Sequence, residues 1–169
     1  ELREQGVVRA IGAGMNQSAM PARFIEAHDI DVVMLAGRFT LLVQTALADL
    51  MPLALRRGVA IVAAGVYNSG LLSSAQIRPD AHFDYAPASD EVRARAERLA
   101  AICHAHGVDL PSAAVQYPLR HPAVVSTVIG MRSVAHVESS IERRTSLIPE
   151  DLWAELAEAG LAPDPVGAA

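Results

Sequence analysis

Val59-Ala60-Ile61-Val62-Ala63-Ala64 is a run of six apolar residues between Gly58 and Gly65. An apolar run of this length, closed by glycines, is typical of a strand that is buried on both faces of a parallel sheet. Comparable runs occupy residues 7–12, 31–36 and 124–129. The four runs predict a parallel sheet of about four strands.

Helical spacing of apolar residues fills most of the chain between and after these runs. The predicted helices cover residues 18–28, 45–57, 89–106, 111–120, 133–143 and 149–159. Parallel strands need crossover connections of about a dozen residues or more, so the pattern is a β-α unit repeated four times. Two α/β architectures fit it, a small open doubly wound sheet and one half of an eight-stranded (β/α)8 TIM barrel. A length of 169 residues favours the first, because a barrel needs about 250.

Composition excludes several classes of function. All 14 basic residues are arginine, which leaves no lysine for a Schiff base or a phosphate loop. The net charge of -5 gives no basic stripe, so nucleic acid is not an expected partner. One cysteine and no long apolar window predict a cytoplasmic protein without a membrane segment. The chain begins at Glu1, and we expect that its natural beginning is missing.

The most suggestive local pattern is Gly130-Met131-Arg132-Ser133, which joins the last strand to a helix that Ser133 is expected to cap. Free backbone N–H groups and an arginine at a helix start attract anions, but an ordinary strand-to-helix turn has the same pattern. Gly12-Ala13-Gly14 is a poor dinucleotide fingerprint, because Gln17 replaces its third glycine.

No catalytic or metal-binding motif stands out. Cys103, His104 and His106 follow one another too closely on a helix to converge on one metal ion. The phenols of Tyr67, Tyr85 and Tyr117 have no lysine to activate them, so we assign them to core or lid packing. From the residues alone, the chain offers a binding surface and no catalytic residue.

Several segments resemble a known family. The stretch LPSAAVQYPLRHPAV at residues 110–124 and the stretch TVIGMRS at 127–133 resemble the closing part of aldo-keto reductases. Within that superfamily, AGRFTLL at 36–42 and YNSGLL at 67–72 resemble the aldose 1-dehydrogenase branch, which includes L-fucose, D-threo-aldose and pyridoxal dehydrogenases. The likeness runs over residues 5–145.

The resemblance implies a partial barrel. Aldo-keto reductases are β/α barrels, and this chain resembles only strands five to eight of one, so residues 1–169 are expected to be a partial domain with a C-terminal helix and tail from about residue 146. The family's catalytic Asp, Tyr, Lys and His belong to the first half, and none can be placed on this chain. The implied partners are a sugar, aldehyde or alcohol substrate and the missing N-terminal half of the barrel.

The resemblance also implies NAD or NADP as cofactor. Asn16 matches the asparagine that binds the nicotinamide carboxamide, although its usual glutamine partner falls at Ala36. Phosphate and adenine contacts are expected from two segments. They are Gly65, Val66, Tyr67, Gly70 and Leu71 after the third strand, and Gly130, Met131, Arg132, His136 and Ser140 after the fourth. Because only Arg132 and His136 could meet a 2′-phosphate, NAD is favoured.

Two alternatives stay open. A half-barrel could bind a nucleotide or a partner protein without catalysis, and gel filtration would identify it as a stable monomer that binds NAD. A doubly wound fold would instead show a strand order other than consecutive neighbours.

Overall fold

A computed structural model describes residues 1–165. The strands are β1 (Gly12–Met15), β2 (Val32–Ala36), β3 (Ala60–Ala64), β4 (His82–Phe83), β5 (Ala86–Pro87) and β6 (Val124–Val128). The α-helices are α1 (Ala19–Ala27), α2 (Leu50–Arg57), α3 (Asp90–Ala105), α4 (Leu110–Gln116), α5 (Val134–Thr145) and α6 (Glu150–Glu158). Short 3-10 helices occupy Thr45–Ala48 and Tyr117–Arg120. The predicted tail from residue 146 falls partly outside the described residues.

Four strands form one parallel sheet in the order β1-β2-β3-β6. β4 and β5 are a separate antiparallel hairpin in the connection between β3 and α3. Each strand of the main sheet therefore pairs with the next one along the chain, as in one half of a β/α barrel. The doubly wound alternative is wrong, because its strand order requires a reversal.

Only one face of the sheet is buried. In β2, Val33 and Leu35 are inaccessible to solvent, whereas Met34 between them is 44% exposed. Val125 and Val128 of β6 are also exposed. The prediction that all strands are buried on both faces is therefore wrong for the described chain. A half-barrel covers the outer face of its strands with helices, and its inner side chains point toward the barrel axis.

The first strand begins later than predicted. The sequence places it at residues 7–12, but Val7 and Ile11 are exposed and β1 starts at Gly12. β1 and β2 approach each other so closely that a Cβ at Gly12 would lie 1.9 Å from the carbonyl oxygen of Val32. The glycines expected to end the strand are therefore part of it.

The residues before β1 are held by an ionic cluster. Arg3 pairs with Asp29, and its Nη1 donates to Asp31 at 2.7 Å. Asp31 also accepts the backbone N–H of Ile11 at 2.8 Å. These hydrogen bonds lower the pKa of Asp31, and the one from the Ile11 N–H has the largest effect. The N-terminal segment is thereby fixed to the start of β2.

Side-chain caps and a glycine set several of the helix ends. Ser89 and Ser133 accept N–H groups at the starts of α3 and α5, and Gly58 ends α2 in the left-handed conformation. Ser18 does not cap α1, because its hydroxyl donates to Asp49. Asp49 in turn accepts the N–H of Leu50, which divides the predicted 45–57 helix into a 3-10 turn and α2.

Aromatic side chains occupy the core beside α4. Tyr117 is 1% exposed, lies between Phe39 and Trp153, and donates its hydroxyl to the carbonyl of Pro163. Cys103 is buried in the core, and desolvation raises the pKa of its thiol to about 12. Both residues have the core role that the sequence predicted.

Gly12 offers a test of the sheet geometry. We expect Gly12→Ala to lower the free energy of unfolding by about 1–3 kcal/mol, because the added methyl group overlaps the β2 backbone. Gly14→Ala is the matched control on the same strand, since the nearest atom to its Cβ would be 3.8 Å away. Chemical denaturation measures both variants, and equal stabilities would contradict the close approach.

His121 makes stability depend on pH. The side chain is 1% exposed, its Nδ1 accepts the N–H of Ala123, and burial lowers the pKa of its imidazole. The unfolded chain then binds a proton more readily than the folded one. The contribution of His121 to stability is complete above the pKa of about 6.5 that its imidazole has in the unfolded chain. This contribution decreases as the pH falls below that value. Denaturation of His121→Gln should show a smaller pH dependence between about pH 7 and 5, and an unchanged slope would contradict this origin.

Candidate functional site

The carboxyl ends of the four parallel strands, with the loops that follow them, form two clefts. The α5 cleft has a volume of about 460 Å³ and lies between the loop after β3 and the outer turns of α5. The strand-end cleft has a volume of about 260 Å³ and lies over the ends of β1, β2 and β3, beside the β4-β5 hairpin. Ligands of open and closed parallel α/β sheets bind at this edge.

The α5 cleft brings together six of the residues singled out from the sequence, and they are Tyr67, Gly70, Gly130, Arg132, His136 and Ser140. The strand-end cleft contains two more, Asn16 and Gly65. The remaining three do not line either cleft. Val66 and Leu71 have buried side chains in the core, and Met131 is exposed beside the α5 cleft.

The loop after β3 is shaped by a close backbone contact. Gly37 donates its N–H to the carbonyl of Ala64 at 2.9 Å, and Gly65 follows with a φ of 65°. A Cβ at Gly65 would lie 3.3 Å from the nitrogen of Gly37. Glycine at both positions lets the loops after β2 and β3 leave the sheet side by side.

The same loop contains two residues other than glycine in the left-handed conformation. Asn68 and Ser69 have φ angles of 47° and 59°, and the carbonyl of Asn68 accepts the N–H of Leu71. Asn68 is 5% exposed and lines the strand-end cleft. Its Oδ1 is buried and has no hydrogen-bond donor among the described residues. Because buried polar atoms are nearly always hydrogen-bonded, this oxygen is an acceptor that could take a hydrogen bond from a ligand.

The start of α5 has a closed set of hydrogen bonds. Ser133 accepts the N–H of His136 at 3.2 Å, and His136 Nδ1 accepts the N–H of Arg132 at 3.3 Å. The hydroxyl of Ser140 donates to the carbonyl of His136 at 2.6 Å. The imidazole therefore orders the turn through Nδ1, while the Arg132 guanidinium makes no hydrogen bond to a described residue.

Sequence reasoning missed Arg143, which lines the α5 cleft from the last turn of its helix. The guanidinium carbon lies 5.9 Å from the ring centre of Tyr67, and Nη1 is 3.4 Å from the Tyr67 hydroxyl. Helical spacing contains the missing signal, because His136, Ser140 and Arg143 follow at intervals of four and three. Ser73, Ile129 and Ser139 also line the cleft without having been predicted.

Arg38 organises the strand-end cleft. Its Nε donates to the carbonyl of Asn16 at 2.8 Å, and its Nη2 pairs with Asp84 of the hairpin turn at 2.8 Å. Ala36, where the resemblance implies a glutamine, lines the same cleft and supplies no side-chain hydrogen bond. The side-chain amide of Asn16 stays available, because only its backbone is used by Arg38.

The donor set fits a dinucleotide. The described lining of the α5 cleft has two guanidinium groups, the backbone of a capped helix start and no carboxylate, which suits phosphate oxygens. The strand-end cleft adds the unpaired Asn68 oxygen and the Asn16 amide, which suit a ligand group that both donates and accepts hydrogen bonds. Arg132, Arg143 and Asn16 are thus the side chains that could hold such a cofactor.

Residues 1–165 contain neither a candidate membrane span nor a candidate metal site. No helix in this range has the length and apolarity needed to cross a bilayer. Nor does this range contain a cluster of three or more His, Cys, Asp or Glu side chains placed to hold a metal ion.

Solved structures share the fold. The holo form of an aldo-keto reductase of Bacillus halodurans superposes with a TM-score of 0.75 at 22% identity, over 98% of this chain and 54% of that one. The glycerol dehydrogenase of Gluconobacter oxydans superposes with a TM-score of 0.71 at 19% identity, over 98% and 53%. At these identities the likeness concerns the fold alone, and it covers about half of each solved structure.

Curated sequences are more similar. D-threo-aldose 1-dehydrogenase of Pseudomonas sp is 42% identical over 165 residues, which is 98% of this chain and 50% of the relative. Pyridoxal 4-dehydrogenase of Microbacterium luteolum is 40% identical over 161 residues, which is 95% of this chain and 47% of the relative. The chain therefore spans about half the length of these relatives. The model of the Aldo/keto reductase family matches residues 1–160, and the chain belongs to this family of oxidoreductases.

Proposed function

We propose that the chain is the cofactor-holding half of an NAD(P)-dependent aldo-keto reductase. The complete enzyme would transfer a hydride between nicotinamide and a sugar hemiacetal, an aldehyde or an alcohol. The observation that carries the proposal is the adjacency of the α5 cleft, with Arg132 at a capped helix start, and the strand-end cleft, with Asn16 and Asn68. Similarity to an aldose and a pyridoxal dehydrogenase supports the substrate class.

Each cleft has its own task in this proposal. Residues Gly130, Met131 and Arg132 and the backbone of the loop from Gly65 to Leu71 hold the phosphates. His136 and Ser140 border the adenosine end. In the strand-end cleft, Asn16 holds the carboxamide and so fixes which face of the nicotinamide meets the substrate.

NAD(P), when bound, supplies the hydride chemistry, and the protein supplies orientation and a proton donor. We propose that the proton donor and its partners come from the other half of the barrel. The exposed Met34, Val125 and Val128 support this, because such side chains require cover in a complete barrel. The strands at both edges of the sheet, β1 and β6, are open to pairing as well.

Between the two cofactors we propose NAD. Arg132 is the only guanidinium at the start of α5 among the described residues of the cleft, and Arg143 lies at the other end of this helix. His136 uses Nδ1 within the turn. One free cation at the adenosine end is a weak site for a 2′-phosphate.

The first prediction concerns turnover. We expect the purified 169-residue chain to produce no NADH from NAD and L-fucose, because it lacks the catalytic Asp, Tyr, Lys and His of the family. The absorbance of NADH measures this. Clear turnover would contradict the proposed half, and tight NAD binding by a stable monomer in gel filtration would instead support a non-catalytic binding module.

The second prediction concerns Asn16 in a joined barrel. A chimera of the N-terminal half of the Pseudomonas relative with this chain should reduce NAD with L-fucose. Asn16→Ala should lower kcat/KM for NAD about tenfold, which is the loss of about one good hydrogen bond. Gln17→Ala is the control, because Gln17 is exposed and lines neither cleft. Equal effects of the two substitutions on kcat/KM would contradict a role of Asn16 in binding the cofactor.

A further inference from the structure

We propose that Arg143 contacts a phosphate of the bound dinucleotide and that Tyr67 is the residue that positions it. This inference rests on the proposed function and adds a second cation to the cleft, at the end of α5 opposite Arg132. Neither role follows from the sequence resemblance, which gave Tyr67 a backbone contact only.

The position of Arg143 is fixed by contacts with two residues. The Tyr67 ring lies under the guanidinium, with 5.9 Å from its centre to the guanidinium carbon, and its hydroxyl lies 3.4 Å from Nη1. The Asp109 carboxylate, in addition, is 3.5 Å from Nε. A guanidinium held in this way loses little freedom when it binds a ligand.

These contacts leave part of the guanidinium available. Nη2 makes no hydrogen bond with any described residue, and the side chain of Arg143 is 26% exposed. Arg143 lines the α5 cleft, and the described residues that line this cleft include no carboxylate. Asp109, which pairs with Nε, is not one of the lining residues. A free N–H edge in a cleft of net positive charge is suited to a phosphate oxygen.

The backbone of Arg143 is fixed too. Gln116 of α4 donates from Nε2 to the carbonyl of Arg143 at 2.7 Å and to that of Ser146 at 2.9 Å. The last turn of α5 is thereby tied to α4, while Tyr67 belongs to the loop after β3. The Tyr67–Arg143 contact therefore joins the two walls of the cleft, and a phosphate bound there would touch both.

Nucleotide binding by the chimera, in which this chain is joined to the N-terminal half of the Pseudomonas relative, tests the proposal by calorimetry. We expect Arg143→Gln to weaken NAD binding about tenfold and to reduce the dependence of log Kd on log salt. Arg144→Gln is the matched control, since Arg144 is exposed and makes no ion pair or hydrogen bond with the described residues; it should change Kd less than twofold. Circular dichroism confirms that both variants fold.

Other ligands identify which phosphate is contacted. Equal losses for NAD and NADP in Arg143→Gln assign the contact to the pyrophosphate, and a larger loss for NADP assigns it to the 2′-phosphate. Tyr67→Leu should weaken binding in the wild-type background but not further in Arg143→Gln, whereas Tyr67→Phe keeps the ring and most of the affinity.

The results that overturn the inference are distinct from those that overturn the proposed function. If the folded chimera binds neither NAD nor NADP, both proposals fail. If it binds and Arg143→Gln behaves like Arg144→Gln, the Arg143 proposal alone fails. Additive effects of Tyr67→Leu and Arg143→Gln would remove the positioning role of Tyr67.

Discussion

Parallel pairing of neighbouring strands is the constraint on which the rest of this structure depends. Parallel strands end at one common edge, so the loops after β1, β2, β3 and β6 meet there even though up to 59 residues lie between neighbouring strands of the sheet. The contact of Gly65 with Gly37 keeps the loops after β2 and β3 side by side. Without that pairing, Asn16, Asn68 and Arg132 would lie too far apart to contact the same ligand.

Backbone and side chains have different roles in the candidate site. Capping by Ser133 and the Nδ1 of His136 orders the start of α5, and the left-handed residues Asn68 and Ser69 turn the loop after β3. Left-handed backbone in residues other than glycine is strained and is found preferentially at functional sites. The polar groups that remain unpaired, such as the Asn68 oxygen, are therefore the ones left for a ligand.

Sequence patterns predicted the parts of the fold that depend on local rules. The apolar run before Gly65, the capping Ser133 and the stop at Gly58 are local signals, and the structure agrees with them. The start of β1 could not be predicted in the same way, because it depends on how closely two strands approach. Resemblance, not periodicity, favoured the half-barrel over the doubly wound sheet.

The candidate site shows the same limit. Eight of the predicted residues line the two clefts because each follows a strand end, which the sequence reveals. Arg143 was missed because its importance depends on Tyr67, which lies 76 positions away in the chain. Val66 and Leu71 do not line a cleft because their side chains turn to the core, an orientation that the motif alone does not specify.

The absence of lysine has a consequence for the α5 cleft. Its cations are the guanidinium groups of Arg132 and Arg143, and a guanidinium presents a planar set of N–H donors where a lysine would present a single point charge. An anion that enters the cleft therefore meets donors of fixed shape, so the cleft selects the orientation of the anion as well as its charge.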